Sequence, residues 1–189
     1  MNRLDALRVV AEVAADEPVI TTCGLTSREY ASLGDRASTL YALNSMGLAI
    51  PIAIGVALGT GKRSWVVEGD GGLLMGLNTL ATLGMLQPKQ LTVIVLDNGA
   101  HCSTGGQPTA AAVVDLGACA AAVGLHVSRA TDVATLRSAL VAARAGDQPV
   151  FVHAKTTTES AVGIPYLQPD PPVIADRFQR YLAARRDGP

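Results

Sequence analysis

The chain has 189 residues, 49% of them hydrophobic and only 4% aromatic, with a formal net charge of −1; that length suits one domain with an aliphatic core. Scattered Lys and Arg give no basic stripe for nucleic acid or an acidic membrane, which leaves small-molecule chemistry as the better class. The N-terminus interleaves charged and apolar residues, the most apolar stretch (48–58) is too short to span a bilayer and carries Pro51 and Gly55, and Cys23, Cys102 and Cys119 lack CxxC spacing, so a soluble cytoplasmic protein with reduced thiols is expected.

Apolar residues at helical spacing predict a helix over 3–15, and Val19-Ile20-Thr21-Thr22 reads as the first strand. A Gly/Ala-rich helix is expected over 47–58. The following Gly59-Thr60-Gly61-Lys62-Arg63-Ser64 hints at a phosphate loop. However, Val56 stands where the first glycine is required and Arg63 replaces the Ser or Thr after the lysine, so an ordinary surface turn is the better reading. Ser64-Trp65-Val66-Val67-Glu68 is short, apolar and β-branched, and it runs into Gly69-Asp70-Gly71-Gly72. A buried strand ending in a turn that demands small residues is implied. Leu74 occupies the third-glycine position of a dinucleotide fingerprint, which argues against a nicotinamide enzyme.

A helix over 73–86 would carry the amides of Gly71, Gly72 and Leu73 at its N-terminus, where free N–H groups and the macrodipole favour an anionic phosphate. Leu91 to Leu96 is the next apolar strand, closed by Asp97-Asn98-Gly99. In a right-handed crossover the two strands are parallel and both tips emerge at one carboxyl edge. Mg²⁺ wants one or two protein oxygens besides phosphate and water, a set that Asp70, Asn98 and a backbone carbonyl can supply.

Further on, helices are predicted over 110–123 and 132–145, the latter capped by Thr131-Asp132 and stopped by Gly146-Asp147. A short edge strand is predicted over 125–128, a final strand over 149–154, a loop over 156–172 and a helix over 173–185. This alternation predicts an α/β protein: a doubly wound, mostly parallel sheet with helices on both faces, ligands at the strands' carboxyl ends, and one domain over 1–189. Taken singly, Asp70 and Asn98 are turn residues, Met46 a core methionine and Cys102 a packing residue. His126 and His153 read as structural, and Arg28 and Lys155 as solvated cations with anion contact as the alternative.

Gly69-Asp70-Gly71, twenty-six intervening residues and then Asn98 resemble the cofactor motif of the thiamine diphosphate (ThDP)-dependent enzymes. The segment Asn44-Ser45-Met46-Gly47 resembles the stretch whose large apolar residue props the cofactor in a bent shape. Two further segments, 22–29 and 100–109, resemble the first strand-turn and the loop after the metal asparagine in phosphonopyruvate and sulfopyruvate decarboxylases. The resemblance implies Mg²⁺ held by Asp70, the Asn98 side chain and the Ala100 carbonyl. ThDP would be held by those residues with Gly24, Leu25, Ser45 and Met46, and by Gly69, Gly71, Gly72 and Leu73, while His101 would stand near the substrate.

The same resemblance implies decarboxylation of a short 2-oxo acid such as 3-sulfopyruvate or phosphonopyruvate, with sulfopyruvate favoured. The family's activating glutamate lies on a separate pyrimidine-binding domain, and Glu29, Glu68 and Glu159 do not match its position. A partner (alpha) chain supplying it, in a hetero-oligomer with a dimeric core, is therefore expected, the isolated chain being inactive. Alternatives left open are a carboligase or acyl-transferring subunit, a 2-oxoacid:ferredoxin oxidoreductase beta-like subunit, and a noncatalytic scaffolding subunit.

Overall fold

The computed structural model describes residues 1–167 and 169–186. Its centre is a sheet of six parallel strands: β1 (Val19–Thr21), β2 (Thr39–Tyr41), β3 (Ser64–Gly69), β4 (Leu91–Asp97), β5 (His126–Ala130) and β6 (Val150–Lys155), in the order β2-β1-β3-β4-β6-β5. Every pairing between these strands is parallel, and the predicted short strand does lie at an edge, as β5.

The helices are α1 (Arg3–Ala14), α2 (Leu25–Ser32), α3 (Ala49–Thr60), α4 (Asp70–Met75), α5 (Thr79–Leu86), α6 (Leu116–Ala122), α7 (Val133–Ala145) and α8 (Pro171–Arg186). Alternate strand residues point to opposite faces and build two cores. Trp65, Val67, Ile94, Leu96 and Val152 pack with α1, α2 and α7. On the other face Val66, Val93, Val95 and Phe151 pack with α3, α5 and α6. Helix α8 joins both cores through Ile174 and Phe178 and packs near edge strand β2.

Three expectations are corrected. Residues 25–41 hold an unpredicted helix and strand, α2 and β2. The helix expected over 73–86 begins at Asp70 and is broken, with α4 ending at Gly76 and α5 starting at Thr79. The break comes from close approach: a Cβ on Gly76 would stand 2.4 Å from the Gly47 carbonyl oxygen. The helix expected over 110–123 is a 3₁₀ turn (Ala110–Ala112) followed by α6, because the Asp115 side chain accepts from the Ala118 amide and starts a new helix there. By contrast the turn around Lys62 agrees with the surface-turn reading, its ammonium donating to the Arg185 carbonyl. Likewise α7 starts as expected at Asp132, whose carboxylate accepts from Thr135 N at 2.8 Å in a capping box.

Candidate cofactor and metal site

The strand order reverses between β1 and β3: β1 connects outward to β2, and β3 onward to β4. In open α/β sheets the crevice beyond the carboxyl ends at such a point is where ligands bind. A cavity opens there. Its walls are Thr22, Cys23, Leu25 and Thr26 after β1, Met46 before α3, Glu68 to Gly72 at the end of β3, and Asn98 with Ala100 to Ser103 after β4.

Most residues singled out in the sequence thus converge on one cavity although they come from three strand ends. Gly24 borders an adjoining groove with Ser103 and Tyr166. Ser45 and Leu73 do not line the cavity: the Ser45 hydroxyl donates to Leu43 O at 3.0 Å, and Leu73 is buried in the core. His101 lies against the glycine turn, so that a Cβ on Gly71 would stand 2.5 Å from its ring. A Cβ on Gly72 would meet the Glu68 carboxylate at 2.1 Å, so a side chain at either position would have to displace His101 or Glu68.

Asp70 is 3% exposed, accepts a hydrogen bond from the Thr109 hydroxyl, and joins none of the ion pairs among the described residues. Buried carboxylates are ordinarily paired or bound to a cation, so the turn fits a metal. Among the described residues no group of three His, Cys, Asp or Glu side chains could hold one. The candidate donors at this turn are one carboxylate with the neutral oxygens of Asn98 and Ala100, a hard set whose chemistry would suit Mg²⁺ better than zinc. Asn98 Oδ1 accepts from Ala100 N at 3.0 Å, which curls the turn, and Gly99 takes a left-handed φ of 70° within it.

Asp97 braces that turn. One carboxylate oxygen accepts from Gly99 N at 3.1 Å and the other from His153 Nε2 at 2.7 Å, with the Lys155 ammonium beside it. Burial alone would push the Asp97 carboxyl up, but the hydrogen bonds from His153 and Lys155 outweigh it and hold the group below the usual carboxylate range. His153 is structural as expected, and Lys155 is committed to Asp97. Arg28 likewise donates to Ile164 O at 2.5 Å and lies over the Tyr166 ring.

Glu68 reads in the sequence only as the end of a strand. In the fold it is 1% exposed and lines the cavity, with one oxygen accepting from Gly69 N at 3.0 Å and the other buried without a hydrogen-bond partner among the described residues. Burial pushes its carboxyl up to about 7, against the pull of Thr22 and the Gly69 amide. Between about pH 4.5 and 7 the folded chain keeps a proton that the unfolded chain releases, so stability falls as pH rises through that window and levels off above it. Glu68→Gln is expected to remove this slope, worth up to about 3 kcal/mol at 1.36 kcal/mol per pH unit. Urea denaturation of both proteins in EDTA at pH 5 and pH 8 measures it; equal slopes would refute the assignment.

An open parallel α/β sheet with a glycine-lined acidic turn at its switch point defines a diphosphate-binding class of domain. Residues 20–154 match the family described as thiamine pyrophosphate enzyme, C-terminal TPP binding domain, and the chain belongs to it. It is 42% identical over 183 residues to a phosphonopyruvate decarboxylase of Streptomyces viridochromogenes, covering 96% of this chain and 46% of that protein. It is 38% identical over 178 residues to a sulfopyruvate decarboxylase subunit beta of Methanothermobacter thermautotrophicus, covering 94% of each. The chain thus spans about half the length of the Streptomyces relative and nearly all of the archaeal subunit. The fold matches a ThDP-dependent 4-hydroxybenzoylformate decarboxylase of Rhodococcus jostii RHA1 with a TM-score of 0.72 at 19% identity, over 85% of this chain and 33% of that one.

Proposed function

We propose that this chain is the diphosphate- and Mg²⁺-binding subunit of a two-component ThDP-dependent decarboxylase, acting on a short 2-oxo acid such as 3-sulfopyruvate or phosphonopyruvate. The observation that carries this reading is the convergence of Asp70, Asn98, Ala100 and Met46 on one switch-point cavity. Asp70, Asn98 Oδ1 and the Ala100 carbonyl hold the cation, which neutralises the diphosphate, and the side-chain-free turn at Gly71 and Gly72 lets the backbone approach it. Met46, in the cavity wall, would give the cofactor an apolar contact. When bound, ThDP supplies the electron sink for the carbanion left by loss of CO₂. His101 stands at the substrate end.

Among the described residues no carboxylate is placed to activate the cofactor. Glu29 is clamped by Arg3, whose guanidinium donates to it at 2.7 and 2.9 Å; Glu68 lies at the glycine turn with one oxygen accepting from Gly69 N; and Glu159 lies on an exposed loop. The activating glutamate is therefore assigned to a partner chain bearing a pyrimidine-binding domain, with this chain as a single diphosphate-binding domain of a cytoplasmic hetero-oligomer. Apolar exposure beside the cavity supports a partner surface: Leu48 and Met75, 52% and 69% exposed, line a groove with Met46. Among the described residues no helix is long and apolar enough to cross a membrane.

The test is CO₂ release from sulfopyruvate and phosphonopyruvate with ThDP and Mg²⁺, using each chain alone and both together. Release is expected only with both chains. A purified single chain that decarboxylates at a normal rate would overturn the split.

A further inference from the structure

We propose that Thr109 is a positioning residue for the cation, fastening the two ligand-bearing turns to each other through one hydroxyl and one backbone N–H. The inference rests on Asp70, Asn98 and Ala100 being the metal ligands. Thr109 is 7% exposed and stands where the loop that leaves β4 after Asp97 returns to the sheet edge. Its backbone N–H donates to Gly99 O at 2.9 Å, tying it to the Asn98 turn. Its hydroxyl donates to Asp70 Oδ2, tying it to the glycine turn.

The direction of the second tie is fixed by its acceptor, and the 3₁₀ turn that Thr109 caps is compatible with it. Thr109 Oγ1 accepts from Ala111 N at 3.3 Å, which uses a lone pair, and a carboxylate has no proton to give, so the single hydroxyl proton goes to Asp70. Between the two ties the loop is closed on itself: Ala100 bridges Pro108, and His101 N donates to Gln107 O at 2.8 Å. The loop is a closed excursion with Thr109 as its clasp.

The consequence is directional. A carboxylate rotates in a broad torsional well with two equivalent oxygens. Holding Oδ2 leaves Oδ1 as the oxygen free to meet a cation. Mg²⁺ tolerates little error in angle or distance, and partners that orient metal-ligating groups are worth about 10- to 100-fold in affinity. The backbone tie through Gly99 sets the distance between the turns, and the hydroxyl tie sets the aim of the carboxylate.

Thr109→Val keeps the shape and the backbone N–H and removes only the hydroxyl, whereas Thr109→Ser keeps the hydroxyl. Mn²⁺ binding to the full chain with ThDP present, followed by electron paramagnetic resonance, is compared for wild type, both variants and Asp70→Ala. The inference expects Thr109→Val to bind about 10- to 100-fold more weakly and to melt below wild type in EDTA, since it leaves the buried Asp70 oxygen without its donor, and Thr109→Ser to bind and melt as wild type. If Asp70→Ala abolishes binding while Thr109→Val binds normally, the clasp is overturned and the metal reading stands. If Asp70→Ala binds as wild type, the metal reading itself falls. Should the valine variant fail to fold, Thr109→Ala takes its place in the same comparison.

Discussion

Asp70→Ala is expected to abolish Mg²⁺-dependent binding of ThDP and yet to leave the cation-free chain at least as stable as wild type. These opposite signs have one cause. Asp70 is a buried carboxylate paired with no cation among the described residues, and its partner there is the Thr109 hydroxyl. Holding such a charge without a counterion costs the fold free energy, and the cation is what offsets it. Alanine relieves the cost in the free chain and removes the one charged ligand in the loaded protein. Loss of at least ~100-fold in apparent affinity, about 2.7 kcal/mol, is expected. Thermal melting reads both effects: wild type gains stability with Mg²⁺ and ThDP by mass action, and the variant gains none. A variant that still responds to the cation would place the metal elsewhere.

Gly76→Ala and Gly55→Ala are expected to move stability in opposite directions although both add one methyl group. The new methyl at position 76 would stand 2.4 Å from the Gly47 carbonyl oxygen and 3.2 Å from its carbonyl carbon and Cα. Backbone cannot step aside as a side chain can, so the α4–α5 elbow must separate from the Met46-Gly47 turn. Overpacking of this kind costs about 3 kcal/mol, or a fall of roughly 6–12 °C in Tm for a chain of this size. Gly47 itself has a φ of 80° and follows Met46 in the cavity wall, so the damage reaches the site. Around Gly55, in the middle of α3, nothing lies within 4 Å of an added Cβ. There alanine gains helix propensity and loses unfolded-state freedom, a stabilisation of up to about 1 kcal/mol. Equal melting temperatures for the two variants would refute the elbow contact.

The central elements were legible because their signals are strong. Strands β3, β4 and β6 are continuous apolar runs, as buried parallel strands should be, and the glycine-acid-glycine turn announces its own conformation. Residues 25–41 gave no such signal. Helix α2, Leu25–Ser32, carries Thr, Ser, Arg and Glu among few apolar residues, and β2 is three residues long at a sheet edge. Both are held by what packs on them, Tyr30 and Tyr41 in one core and α8 beside β2, and not by local preference. The break at Gly76 was invisible because its cause, the Gly47 carbonyl, lies 29 residues away in the chain. In the site, Asp70, Asn98 and Met46 stood out in the sequence through a family resemblance, and the fold brings them to one cavity. Thr109 and Glu68 did not, since a loop threonine and a strand-end glutamate acquire their roles only from the groups brought against them.

Asp70 and Asn98 sit at the two tips of one strand-helix-strand unit, β3 through β4, and these strands pair directly in register from Ser64↔Leu91 to Gly69↔Leu96. The distance between these two turns is therefore an internal dimension of a single folding unit. Two independent chains can thus divide one cofactor at a clean seam. On the proposed reading, the groups that would hold the cation all belong to one folding unit of this chain, and only the cofactor's ring end would be left for a partner to meet.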